Sequence, residues 1–148
     1  MAIDLKIIKR KILLIERDLK KLKKIYVVSY KDYIKNSDLG DLAERNLERI
    51  IGRLIDINYH ILSQEKEIMP NDYYSSFIDM GKQGYLADNL AESMANSAGL
   101  RNRLAHEYDE IDDKKVYEAI GRTIKEVPKY LATVLAKVDK RAKQNRLV

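Results

Sequence analysis

The sequence predicts an all-α protein, an up-and-down four-helix bundle with one short extra helix and a C-terminal helix kinked by proline. Three observations carry this reading. Apolar residues recur at alternating steps of three and four along most of the chain, no stretch sustains the period-two alternation of a half-buried strand, and only six Gly and two Pro interrupt 148 residues. The length suits a single domain spanning 1–148. A hydrophobic content of 45% supplies its core, while 34% charged residues give the helices solvated outer faces.

In the first helix Leu5, Ile8, Ile12, Ile15, Leu19, Leu22 and Tyr26 form a bundle seam. The polar break Asn36-Ser37-Asp38, with Gly40 nearby, precedes a second helix that reaches about Lys66. Its Leu47, Ile50, Leu54, Ile57 and Ile61 repeat the pattern, and Ile51, Ile55 and Leu62 widen the stripe, as expected of a central helix with two neighbours. Met69-Pro70-Asn71-Asp72 opens a short third helix that ends at Gly81 to Gly84. The fourth helix runs from about Leu86 to Tyr108, with Leu86, Leu90, Ser97 and Leu104 marking its core direction. The acidic turn Asp109 to Asp113 caps a fifth, whose pattern resumes with Val116, Ile120, Ile124 and Val127. Pro128 is expected to kink or break it, leaving a last segment around Tyr130 to Val138 and a frayed basic tail at about 139–148. No internal repeat or low-complexity segment is present.

Composition removes several function classes. Zero Cys excludes disulfides, thiolate metal sites and a Cys nucleophile, leaving His60 and His106 for chemistry near neutral pH. No apolar run approaches the roughly 18 residues of a membrane span. The first residues thread charges through apolar positions, unlike a signal peptide, so the protein is expected in the cytoplasm and away from membranes. The net charge of +5 is uneven: residues 1–31 hold ten Lys/Arg against three acids, and residues 137–148 hold five against one. Basic ends are compatible with a polyanionic partner, although charge runs on helices are commonly just solvated faces.

Chemistry-bearing side chains concentrate in Gly99-Leu100-Arg101-Asn102-Arg103-Leu104-Ala105-His106-Glu107-Tyr108. Asn102 and His106, one turn apart, share a face directed away from the Leu stripe, whereas Arg101 and His106 diverge by about 140° on an ideal helix. Three arrangements reconcile them: a loosened helix end, a long Arg side chain curling round, or two copies of the helix meeting at a shared cleft. Ala87, Ala91, Ala98 and Ala105 offer a small-residue edge for such an approach. An imidazole can exchange protons with a ribose 2′-hydroxyl or a leaving 5′-oxygen, a guanidinium can stabilise a pentacoordinate phosphate, and an amide can orient either. That set suits RNA cleavage by internal transesterification without a metal or other cofactor. Zinc spacing, HExxH, a phosphate loop, GxSxG and a dinucleotide fingerprint are all absent. His60 belongs to no motif and reads as a surface residue, and Arg103 with Glu107 reads as a weak helix-surface pair.

At these residues the chain resembles the HEPN superfamily, specifically its HepT-like toxin branch. Arg101-Asn102, His106 after four intervening residues, and Tyr108 match that branch's R-x4-H-x-Y pattern. Glu44-Arg45-Asn46-Leu47-Glu48-Arg49, Asp56 and Tyr73-Tyr74-Ser75-Ser76-Phe77 extend the likeness over most of the chain. The resemblance implies an all-helical homodimer whose two motifs face one cleft and cut RNA without metal. It further implies a nucleotidyltransferase antitoxin of the MNT type that AMPylates the motif tyrosine. The roles carried over are Arg101 for phosphate binding and transition-state charge, His106 for acid–base work, Asn102 for support and Tyr108 as the modified side chain. Two other readings stand beside it: a non-catalytic helical adaptor for a nucleotidyltransferase, and a dimeric RNA-binding module using the basic termini.

Overall fold

The structure, a computed structural model, describes residues 3–106 and 111–146. Six helices account for most of them: α1 (Leu5–Tyr26), α2 (Tyr30–Tyr33), α3 (Ser37–Lys66), α4 (Tyr73–Lys82), α5 (Asp88–His106) and α6 (Asp113–Arg146). The long helices α1, α3, α5 and α6 run alternately up and down, and α4 packs on α3 and α5. The expected seam is the core. Ile8, Ile12, Ile15, Leu19 and Leu22 of α1 are buried, as are Leu47, Ile50, Ile51, Leu54, Ile55, Ile57, Ile61 and Leu62 of α3. The wide stripe on α3 serves more neighbours than two, since α1, α4, α5 and α6 all lie against it.

Side-chain caps fix the helix starts. Asp4 accepts the Ile7 N–H, Asn36 accepts those of Asp38 and Leu39, and Asp72 accepts that of Ser75 at 2.7 Å. This last bond holds the Asp72 carboxyl below its usual range. The α4–α5 turn closes through Gly84, whose φ of +82° favours a residue without Cβ. α2, too short to leave a periodic signature, is started by Ser29 and held by aromatic packing. Tyr26, Tyr30 and Tyr33 surround Tyr117 of α6 at 5.0–5.5 Å between ring centroids, and the Tyr117 hydroxyl donates to the Val28 carbonyl at 2.7 Å.

At the C-terminal end one expectation is narrowed and one corrected. Pro128 does not break α6, and residues 139–146 are helical rather than a frayed tail. An interior proline costs about 3 kcal/mol. Val127, Tyr130, Leu131, Val134 and Val138 remain buried on one face across it, at roughly 1.5–3 kcal/mol for each fully buried apolar side chain, which outweighs the lost bond. Asp112 supplies the expected acidic cap, accepting from Lys114 N at 3.0 Å.

Where α3 and α6 begin, Glu44 is half-buried near Asp41 and Asp113. Burial, then Asp41, then Asp113 push its carboxyl above the ordinary value. The folded chain therefore holds this proton more tightly than the unfolded chain, and stability is lost as pH rises through that window. Glu44→Gln is expected to raise Tm by roughly 1–3 °C at about pH 7 and to leave it unchanged at about pH 3, as thermal melts at the two pH values would read.

Candidate functional site

Arg101, Asn102 and His106 lie on the last two turns of α5, and burial along this helix differs from the Leu stripe. Ala91, Met94, Ala95 and Ala98 form the buried face, with Leu100 and Leu104 covering a second side near the end. Of the small-residue edge, Ala91 and Ala98 are thus used within the fold, while Ala87 is exposed and Ala105 half-buried. Gly81 of α4 comes so close that a Cβ there would stand 2.8 Å from the Ala91 Cβ. Bulky Leu side chains mark the flank of this contact because the backbone-to-backbone approach of α4 and α5 admits only small residues at its centre.

Asn102 and His106 are exposed, Arg101 is half-buried and Leu104 is buried. Tyr108, Glu107 and Glu110 lie outside the described residues. The guanidinium of Arg101 stacks over the Tyr73 ring at 5.6 Å from its centroid. It also borders a polar groove of about 300 Å³ between α5 and α3, lined by Arg45, Glu48, Arg49, Arg53 and Asp56 among others, but not by His106. Arg101 turns toward α4 and α3 while His106 faces solvent at the helix end. The divergence expected from helical geometry is therefore present in one copy of the chain.

Tyr73 is held in place from two directions. It is the first residue of α4, directly after the Asp72 cap, and its ring meets Tyr59 edge-on at 6.1 Å. Burial, then Tyr73 and Asp72, push the Tyr59 phenol up. Beneath them runs a buried chain of hydrogen bonds. The Tyr130 hydroxyl donates to Asn58 Oδ1 at 2.5 Å, Asn58 Nδ2 donates to Ser76 Oγ at 3.1 Å, and Ser76 Oγ donates to the Tyr73 carbonyl at 2.7 Å. Complete burial pushes the Tyr130 phenol well up, so it acts here as a neutral donor. α6 thus fixes α4 through α3, and α4 carries the ring on which Arg101 lies.

A second polar cluster was not singled out from sequence. Asp18 is fully buried between α1 and α3, with Arg53 Nη1 at 2.6 Å and Arg49 Nε at 3.3 Å. The signal was legible: Asp18 falls three residues after Ile15 and four before Leu22, on the seam itself, as Asn58 falls four after Leu54 and three before Ile61. His60 is more than a surface residue. It is half-buried, and its Nε2 accepts the Asp4 N–H at 3.1 Å, tying the start of α1 to α3.

Among the described residues, no three His, Asp or Glu side chains are grouped to hold a metal ion, and no helix is long and apolar enough to cross a membrane. The chain is 40% identical over 128 residues to tRNA nuclease HepT of Aphanizomenon flos-aquae, covering 86% of this chain and 87% of that protein. It is 25% identical to mRNA nuclease HepT of Shewanella oneidensis, covering 88% and 97%. The solved structure of the tri-AMPylated Shewanella oneidensis HEPN toxin in complex with MNT antitoxin superposes with a TM-score of 0.80 at 25% identity, covering 88% of this chain and 97% of that one. The family described as Ribonuclease HepT-like matches residues 15–134. With its all-helical bundle and the motif intact in its sequence, this chain belongs to the HepT-like ribonuclease family.

Proposed function

We propose that the chain is a cytoplasmic endoribonuclease toxin that cuts RNA in a cleft formed by two copies. In this reading a nucleotidyltransferase antitoxin of the MNT type neutralises it by transferring AMP to Tyr108. The observation that carries the reading is the split disposition of the motif: His106 exposed at the end of α5 and Arg101, five residues earlier on the same helix, turned onto Tyr73. A second copy related by a two-fold axis supplies what one copy lacks. His106 takes the 2′-hydroxyl proton as the 2′-oxygen bonds to phosphorus. The bond to the 5′-oxygen breaks, and that oxygen receives a proton from an imidazolium. Arg101 stabilises the extra charge on the phosphorane, and Asn102 orients the reacting groups. The products are a 2′,3′-cyclic phosphate and a 5′-hydroxyl.

Incubation of the purified protein with RNA in excess EDTA tests this. Scission leaving cyclic phosphate ends is expected, with no cutting of DNA or of RNA carrying a 2′-deoxy residue at the cut position. Binding without scission at every protein concentration would overturn it in favour of an adaptor or RNA-binding module.

A further inference from the structure

The groove beside Arg101 holds more positive charge than its structural contacts require. Arg45, Arg49 and Arg53 occupy successive turns of α3, about 6 Å apart along one face, a spacing comparable with neighbouring phosphates on an extended strand. With Arg101 they set four guanidinium groups against two carboxylates, Glu48 and Asp56, and Asp56 is engaged by Lys11 at 3.2 Å. Like charges at intervals of four on a helix repel one another. Two of them, Arg49 and Arg53, are held by Asp18, a buried carboxylate of α1 that on its own helix also faces Arg17 at 3.4 Å and Lys21 at 3.8 Å. One anion beneath so many cations steers the row without neutralising it. Each guanidinium carries five donors in a planar fork. Arg53 uses Nη1 for Asp18 and the Leu14 carbonyl, and Arg49 uses Nη2 for Asp18 and Asn46. Arg45, the member nearest the motif end of the bundle, is exposed.

We propose that Arg45, Arg49 and Arg53, the last two pinned from beneath by Asp18, form the track that binds RNA phosphates beside the bond to be cut, with Arg101 at its margin. The proposal rests on the nuclease reading for its ligand and adds which surface of this chain the strand follows. Asp18 is a positioning residue, since it touches the row and not the strand.

Fluorescence anisotropy of a short labelled single-stranded RNA, made 2′-deoxy throughout its cleavable positions, tests the track in a His106→Ala background, where both changes protect the probe from cutting. Arg45→Gln and Arg53→Gln are each expected to weaken binding about 3–10-fold at low salt and to flatten the dependence of log K on log[salt] by about 0.7. Lys125→Gln, the same charge change on the exposed face of α6, is expected to stay within about twofold with its slope unchanged. Asp18→Asn, compared well below its own Tm, is expected to weaken binding severalfold, an effect that a purely structural ion-pair cluster would not produce in a folded chain. Arg45→Gln removes no buried contact and keeps the test valid if Arg53→Gln or Asp18→Asn unfolds. Row variants indistinguishable from Lys125→Gln would overturn the track. Loss of the nuclease reading would show separately, as wild-type protein that leaves RNA intact.

Discussion

His106→Ala is expected to slow RNA cleavage by roughly 10²–10⁴-fold, the ordinary contribution of a positioned acid–base group, while Tm stays within about 1 °C. The unchanged stability follows from exposure at the end of α5, where truncation leaves no cavity and no buried group without a partner. Arg101→Ala is expected to slow cleavage comparably, because in the proposed mechanism it removes the charge that faces the phosphorane. Mixing the two inactive variants gives the sharper result. If each site takes its guanidinium from one copy and its imidazole from the other, a mixed dimer contains one complete site and one doubly deficient site. Equal mixing then restores about a quarter of wild-type activity by random pairing. If both groups acted within one copy, every site in the mixture would lack one of them and no activity would return. Cleavage assays on refolded mixtures distinguish the two outcomes.

The largest effect on stability is expected at Asn58. Asn58→Leu keeps roughly the same volume but removes the acceptor of the Tyr130 hydroxyl and the donor to Ser76. Only a long approach of 3.4 Å to the Leu54 carbonyl remains for a phenol that is completely buried. Leaving it unsatisfied, together with the broken link to α4, costs about 2–4 kcal/mol and lowers Tm by roughly 5–15 °C. Adding Tyr130→Phe removes the orphaned hydroxyl, so the double variant is expected to be more stable than Asn58→Leu alone. Such non-additivity in denaturant melts is the signature of a shared network. An Asn58→Leu protein as stable as wild type would mean that the chain of bonds contributes nothing.

The sequence displayed the bundle clearly wherever burial follows side-chain size. The 3,4 spacing located the seams of α1 and α3, since Ile and Leu there gain most from leaving water. Burial on α5 follows a different rule. Its central contact with α4 is a close backbone approach permitted by Gly81 and Ala91, so the largest side chains flank the packed face. Propensity alone misjudges α6 as well, because the apolar face on both sides of Pro128 keeps the helix continuous. For the site, R-x4-H-x-Y spacing nominated Arg101, Asn102, His106 and Tyr108. It could not show that Arg101 rests on Tyr73, nor which side chains Asp18 and Asn58 would meet, since these depend on partners 18 and more residues away.

The continuity of α6 has a consequence for substrate length. Lys9 meets Asp139 at 3.7 Å and Arg141 meets Glu65 at 3.1 Å, which gathers the basic starts of α1 and ends of α6 at one pole of the bundle. His106 stands at the opposite pole, where α6 begins, and about 27 residues of helix separate the two by roughly 40 Å. An oligonucleotide of a few bases can engage only one pole at a time. A long or folded RNA can span both, so on the proposed nuclease reading cleavage is expected to favour substrates long enough to reach the basic pole.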